Sequence, residues 1–371
     1  ANPFPNGVQR PPGNSLGTAS LLGESLSFLA QGHVLPYAQQ WQFGIQHSLP
    51  SQIRLEAAFI RELSVKGLQG FSLNEKPDAY LALGSQENLQ VANPFYGIFP
   101  AVTSMGSSKT IAQRQLWLAY PQYTGLTQNA TNSRTTVYHA VQLSLEKRLT
   151  HGLSVIANTT VSKLMDSNQT SVVNKRYYRT ISSHDTPNVY NLAFVYDLPF
   201  GPGRPLLTQR GPLGKIIGGW SFSGSYHYES GNPLSISDSN GRPLRIRNSA
   251  KSGPINTRLG DQVDPATRRV LNPYFDITAF RSLATQYMVP PEPPSFGELR
   301  GPPTRVLGAS LIKRVKVNER LSLDARLDAA GVTNTPNWGN PGTNMANGTT
   351  FGVISSASGS RTMQVAFRAV F

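Results

Sequence analysis

VYHAVQLSLEKRLTHGLSVIANTTVSK, residues 137–163, is the stretch on which the fold turns. Val137, Val141, Leu143 and Leu145 share one face of a period-two segment, and Gln142, Ser144 and Glu146 fall between them. That alternation predicts a strand with one apolar and one polar side. Thr150, His151 and Gly152 close it onto a second strand, with Gly152 at the position where a three-residue hairpin loop needs a left-handed residue.

The same pattern extends in both directions. Upstream, YAQQWQFGIQHSL places Tyr37, Trp41, Phe43 and Ile45 on one face, and a turn at Pro50 leads into IRLEAAFIREL, with Ile53, Leu55, Ala57 and Phe59 opposed by Arg54, Glu56 and Glu62. Downstream come NVYNLAFVYDL, WSFSGSYHYES with Trp220, Phe222, Tyr226 and Tyr228 in step, ASLIKRVKV, RLSLDARLDAA and the closing RTMQVAFRAVF. Nine strands are therefore expected, joined alternately by short turns and by long connections at about 66–136, 164–187, 238–307 and 331–360. Residues 1–36 read as a further loop.

Such alternation predicts an all-β, antiparallel, up-and-down transmembrane β-barrel: short periplasmic turns, long extracellular loops, an apolar face to lipid and a polar face to the lumen. A soluble sandwich has no reason to keep its long connections at one end. Nine is an odd number, whereas single-chain bacterial barrels have even counts. An open sheet would also leave unpaired edges in lipid. The chain is therefore expected to be the C-terminal part of a larger barrel.

Composition agrees. Charged residues make up 15% of the 371, well under the roughly 25% usual for soluble domains. The 33 Gly and 28 Pro suit turns and loops, and no run approaches the roughly 18 apolar residues of a membrane helix. There is no cysteine, which excludes disulfides, thiolate metal sites and cysteine nucleophiles. The net charge of +14 would suggest nucleic acid as a partner of a soluble domain. Here the excess is scattered among loops and strand ends.

Several motifs, in order along the chain, resemble the Oar-like TonB-dependent outer-membrane receptors of acidobacteria. They are ANPFPNG (1–7), LPYAQQWQFGIQ (35–46), ANPFYG (92–97), YPQYTG (120–125), residues 137–166, DLPFGPGR (197–204), GGWSFSGSYHYESGNPLSI (218–236), SLIKRVKVNERLSLDARLDA (310–329) and NTPNWGNP (334–341). The pattern departs from the family at Ala329, Ala330, Gly331 and Val332, where aromatic residues and Leu are usual. The resemblance implies a barrel of about 22 strands, of which these are the last nine. A plug and a regulatory-like domain would precede them and carry the contact with the TonB complex. It also implies that Met363, Val365, Phe367 and Phe371 are the signal read by the barrel-assembly machinery.

Site expectations follow from the faces. Ionisable groups at membrane depth are costly unless wet or paired, so Glu146, Arg148, Arg314, Asp324, Arg326 and Asp328 are expected to face the lumen. They fit either a polar pathway and plug-docking wall or a solvated, structurally paired ladder. Arg242, Arg245, Arg247, Lys251, Arg258, Arg268 and Arg269 fall in the longest loop. They fit contact with lipopolysaccharide or another anion, or ordinary solvated charge.

Catalysis finds no support. His184 and Asp185 are adjacent, which does not orient one on the other, and no nucleophile motif accompanies them. The six histidines lack metal-ligand spacing, and Lys215 is followed by Ile216 where a phosphate loop needs Ser or Thr. The expectation is a non-enzymatic, cofactor-free outer-membrane transporter segment for an unidentified ligand. An adhesion protein using the barrel as an anchor is the alternative, and a soluble basic β-protein that binds nucleic acid is the third.

Overall fold

The computed structural model describes residues 15–208, 211–250, 263–290, 293–318 and 320–371. Among them run nine long strands: β1 Tyr37–Leu49, β2 Ile53–Ser72, β3 Gly125–Thr150, β4 Leu153–Ser171, β5 Asn188–Asp197, β6 Trp220–Glu229, β7 Thr304–Lys316, β8 Ser322–Ala330 and β9 Thr362–Val370. They lie side by side in chain order in one sheet, and every pairing from β3 to β9 is antiparallel. Local turn chemistry fixes this meander. Ser51 and Gln52 take left-handed backbone between β1 and β2, and His151 and Gly152 do so between β3 and β4.

The registers keep the two faces in phase. Leu143 pairs with Thr159 and Thr159 with Tyr190. Tyr190 pairs with Tyr228. On the later strands Phe222 meets Leu311, Leu311 meets Leu327 and Leu327 meets Val365. A one-residue slip anywhere would turn a whole strand over. The resulting apolar face stays uncovered: Leu143 is 51% exposed, Val365 61% and Phe367 82%. An apolar surface this continuous marks contact with another apolar phase.

Three strands run further than the alternation predicted. β2 continues to Ser72, β3 begins at Gly125 and β4 ends at Ser171, so the connections expected at 66–136 and 164–187 are shorter. A tilted strand crosses a bilayer in about 9–11 residues, and the 26 residues of β3 extend well beyond that. Where both faces are wet the backbone still pairs, but period two is no longer imposed. TQNATNSRTT, residues 127–136, is polar on both faces for this reason.

Two compact units make up the chain. The first comprises Ala1–Tyr37, Val65–Arg134 and Asn168–Tyr178. Within it the strand Ser25–Leu29 lies parallel to the start of β3, Tyr80 stacks on Trp117 at 5.2 Å, and Arg176 forms an ion pair with Asp78.

The second comprises Ala38–Ser64, Thr135–Ser167 and Arg179–Phe371. Its hydrophobic core lies within connecting segments: Leu234, Ile236, Phe275, Ala279, Phe280, Phe296, Leu299 and Phe351. The connection expected at 238–307 is thus partly folded. Phe275 packs edge-on against Phe351 at 5.2 Å and Phe280 at 6.0 Å, and burying each ring is worth about 1.5–3 kcal/mol. Gly352, at φ +78°, allows the chain to pass where a Cβ would lie 2.7 Å from Ile277 Cγ2.

Candidate functional site

The polar face of β7, β8 and β9 carries a continuous charge ladder. Arg314 sits opposite Asp324 and Asp324 opposite Arg368. Arg314 holds Asp324 with two bonds, Nε to Oδ1 at 2.9 Å and Nη2 to Oδ2 at 3.2 Å. Four residues along β8, Asp328 Oδ1 accepts from Ser310 Oγ at 2.5 Å and from Arg326 Nε at 2.7 Å. Arg314 has 63% of its side chain exposed, so each pair adds only about 0–1 kcal/mol to stability. What the ladder provides is fixed charge in set positions: three guanidinium groups and two carboxylates.

Glu146 and Arg148 belong elsewhere on that face. They lie on β3, separated from β7 by β4, β5 and β6. Glu146 pairs with Arg54 of β2 and meets Arg148 Nε at 3.6 Å. The six expected lumen residues therefore form two groups.

In the longest connection, two of the expected basic residues are engaged within the loop itself. Arg245 pairs with Glu298 and stacks over the Phe296 ring at 4.9 Å. Arg247 Nε donates to Asp276 Oδ2 at 2.9 Å. Burial alone would raise the Asp276 carboxyl, but hydrogen bonds from Arg247 and Thr278 outweigh it and hold the group below its ordinary value. Arg268 takes a left-handed backbone in a turn whose amide donates to Asp264 O at 2.8 Å, and Arg269 O accepts from Asp264 N. Arg242 is half-buried, and Lys251 and Arg258 lie outside the described residues. An open cleft of about 620 Å³ runs beside this turn, lined among others by Val270, Phe275, Asp276 and Thr278.

Asp185, set aside as a catalytic candidate, has a distant partner that the sequence did not reveal. Asp185, only 1% exposed, accepts from Arg300 Nη2 at 2.5 Å and from the Leu164 amide of β4. Arg300 also donates to the carbonyls of Asp185 at 2.9 Å, Gly231 at 3.2 Å and Gly297 at 3.0 Å. This clamp ties β4 to the folded loop. Its partners are 115 residues apart, a separation that no local motif announces. The His184 ring meets Ser183 Oγ at 3.2 Å, so Asp185 and His184 serve different neighbours.

At the chain's last strand, Met363, Val365 and Phe367 line the apolar face, and Phe371, one residue past β9, is 94% exposed.

No curated protein matches the chain. Among solved structures it is similar to the outer membrane transporter YddB from Escherichia coli, at 9% identity over 94% of this chain and 34% of that chain, TM-score 0.42. It is also similar to the FrpB iron transporter from Neisseria meningitidis, at 9% identity over 93% and 32%, TM-score 0.39. A third is the pyoverdine outer membrane receptor FpvA from Pseudomonas aeruginosa PAO1 bound to pyoverdine, at 10% identity over 91% and 30%, TM-score 0.40. The chain spans about a third of the length of these proteins. The family model described as outer membrane beta barrel domain matches residues 1–364. With its two-faced meander of antiparallel strands, this outer-membrane chain belongs to the outer membrane beta-barrel domain family.

Proposed function

We propose that the chain is the C-terminal nine-strand part of an Oar-like TonB-dependent receptor barrel, which moves a substrate across the outer membrane of a Gram-negative bacterium. The observation that carries this reading is the unbroken phase of the two faces from β3 to β9, with an uncovered apolar side and a charged ladder on the other. The ordered family motifs from 35–46 to 334–341 support the subtype. Energy from TonB would enter through plug and regulatory-like parts outside this chain.

In this scheme Glu146, Arg148, Arg314, Asp324, Arg326 and Asp328 form wet lumen wall. The loops, with Arg242, Arg245, Arg247, Lys251, Arg258, Arg268 and Arg269 in the longest, meet lipopolysaccharide and ligand. The wall itself performs no covalent chemistry. Met363, Val365, Phe367 and Phe371 engage the barrel-assembly machinery.

Uptake of a panel of radiolabelled ferric siderophores and oligosaccharides, measured in cells carrying the full-length protein with and without an intact TonB system, tests the transport role. At least one probe should accumulate only when both are present. Surface binding without TonB-dependent uptake of any probe would overturn it in favour of adhesion.

A further inference from the structure

We propose that the short helix Pro212–Ile217, in the connector ahead of β6, is a membrane-interface foot that rests among the phospholipid headgroups of the periplasmic leaflet. The inference rests on the barrel reading and is independent of transport.

The connector lies at the end of the sheet where the other connections are tight. Leu198 N donates to Trp220 O, and Asp197 N to Gly152 O of the β3–β4 turn. It is nevertheless long and built. Leu206 N reaches Pro199 O at 2.9 Å, and Gly201 N reaches Leu206 O at 3.0 Å. A Cβ on Gly201 would lie 2.4 Å from Gly218 Cα, so its two arms touch.

Two side chains of the apolar face hold the helix by its C-terminal end. Lys313 pairs in register with Trp220 and stands in the same row as Leu311 and Val315. Its Nζ donates to the carbonyls of Lys215 and Ile216, each at 2.7 Å, and to that of Gly218. It also lies 4.9 Å from the centre of the Trp220 ring, and Trp220 Nε1 donates to Ile216 O at 3.1 Å. The helix is therefore fastened to the lipid side of the wall and not to the lumen side.

The chemistry matches a headgroup zone. A cation on a lipid-facing strand is tolerated near the interface and costly at mid-depth, and here the ammonium bends to helix carbonyls, whose partial charge favours it. Trp at this level is typical of an interfacial girdle. Between these anchors the helix turns outward Leu213, 61% exposed, and Ile216, 65% exposed, with the exposed Lys215 ammonium between them for lipid phosphate. That apolar surface continues the lipid-facing belt, which fixes the occupant as lipid.

The chain contains no cysteine, so single-cysteine labelling is direct. In the full-length protein, with any cysteine outside this chain replaced by serine, the variants Leu213→Cys, Ile216→Cys, Leu143→Cys and Ser239→Cys would each carry an NBD fluorophore. The carriers would be vesicles of phosphatidylethanolamine and phosphatidylglycerol. A helix seated roughly 5–10 Å into the interface predicts two results for the probes at 213 and 216: several-fold less iodide quenching than at Ser239 in its exposed loop, and stronger quenching by lipid spin-labelled near the headgroup than near the chain end. Iodide quenching at 213 equal to that at 239, with Leu143→Cys still quenched by lipid, would overturn the foot alone. Shielding at 213 from both iodide and lipid would overturn it too, because a protein partner would then cover the helix. A water-exposed probe at 143 would overturn the barrel reading itself.

Discussion

Replacing Arg300 with Ala should loosen the folded loop of the second unit far more than it disturbs the strands. The change strips four bonds from the clamp and leaves the carboxylate of Asp185, 1% exposed, with only the Leu164 amide. Removing one partner of a buried pair costs about 3–5 kcal/mol. The Arg300 side chain is 20% exposed and water can replace part of what is lost, which puts the expected cost near the lower end, about 3 kcal/mol. At about 1.4 kcal/mol per factor of ten, the opening of this region should become roughly a hundredfold more frequent.

Hydrogen exchange of the full-length protein reads this locally. Amides around Phe275–Ala279 and Phe296–Arg300 should speed up by about that factor, while those of β8 and β9 stay unchanged. Asp185→Asn, which keeps an acceptor for Leu164 N–H, should cost less, and the double variant little more than Arg300→Ala alone. Exchange in the Arg300→Ala loop within about threefold of the parent would show that the pair is not a clamp.

Further changes probe the faces and the loop. Arg314→Ala and Asp324→Ala should each shift urea unfolding in micelles by less than about 1 kcal/mol, because the pair is half-wet; a loss above about 2 kcal/mol would mean that the ladder is buried structure. The Asp276 carboxyl, held low by Arg247 and Thr278 despite its burial, contributes loop stability that is present above its unfolded value near 3.8 and lost as pH falls through the lower folded value. Loop exchange, corrected for intrinsic rates, should therefore rise as pH drops below about 4, and Asp276→Asn should abolish that dependence.

Strand positions were legible because lipid on one side and water on the other impose period two. YAQQWQFGIQHSL and RTMQVAFRAVF show two faces from that alone, and Arg314 and Asp324 could both be given to the polar side. Legibility stopped where the constraint did. Residues 127–136, polar on both faces, paired without announcing it. The loop core is built from Phe275, Phe280, Phe296 and Phe351, single aromatic residues scattered among Pro and Gly that show no period. The Asp185–Arg300 clamp depends on contacts between distant segments, and a local reading of SSHDTP weighed Asp185 only against its neighbour. Glu146 and Arg148 lie on the polar side of the sheet with three strands between them and β7, a distance that alternation alone does not give.

The most direct test of the central claim is a spin-label scan along β8, Leu323 to Ala329, in the full-length protein in lipid, comparing collision with oxygen and with a water-soluble nickel chelate. A barrel wall predicts a strict period of two: labels at Leu323, Ala325, Leu327 and Ala329 favour oxygen, and those at Asp324, Arg326 and Asp328 favour nickel. Equal nickel access at all seven positions, or the opposite phase, would contradict a lipid-facing wall.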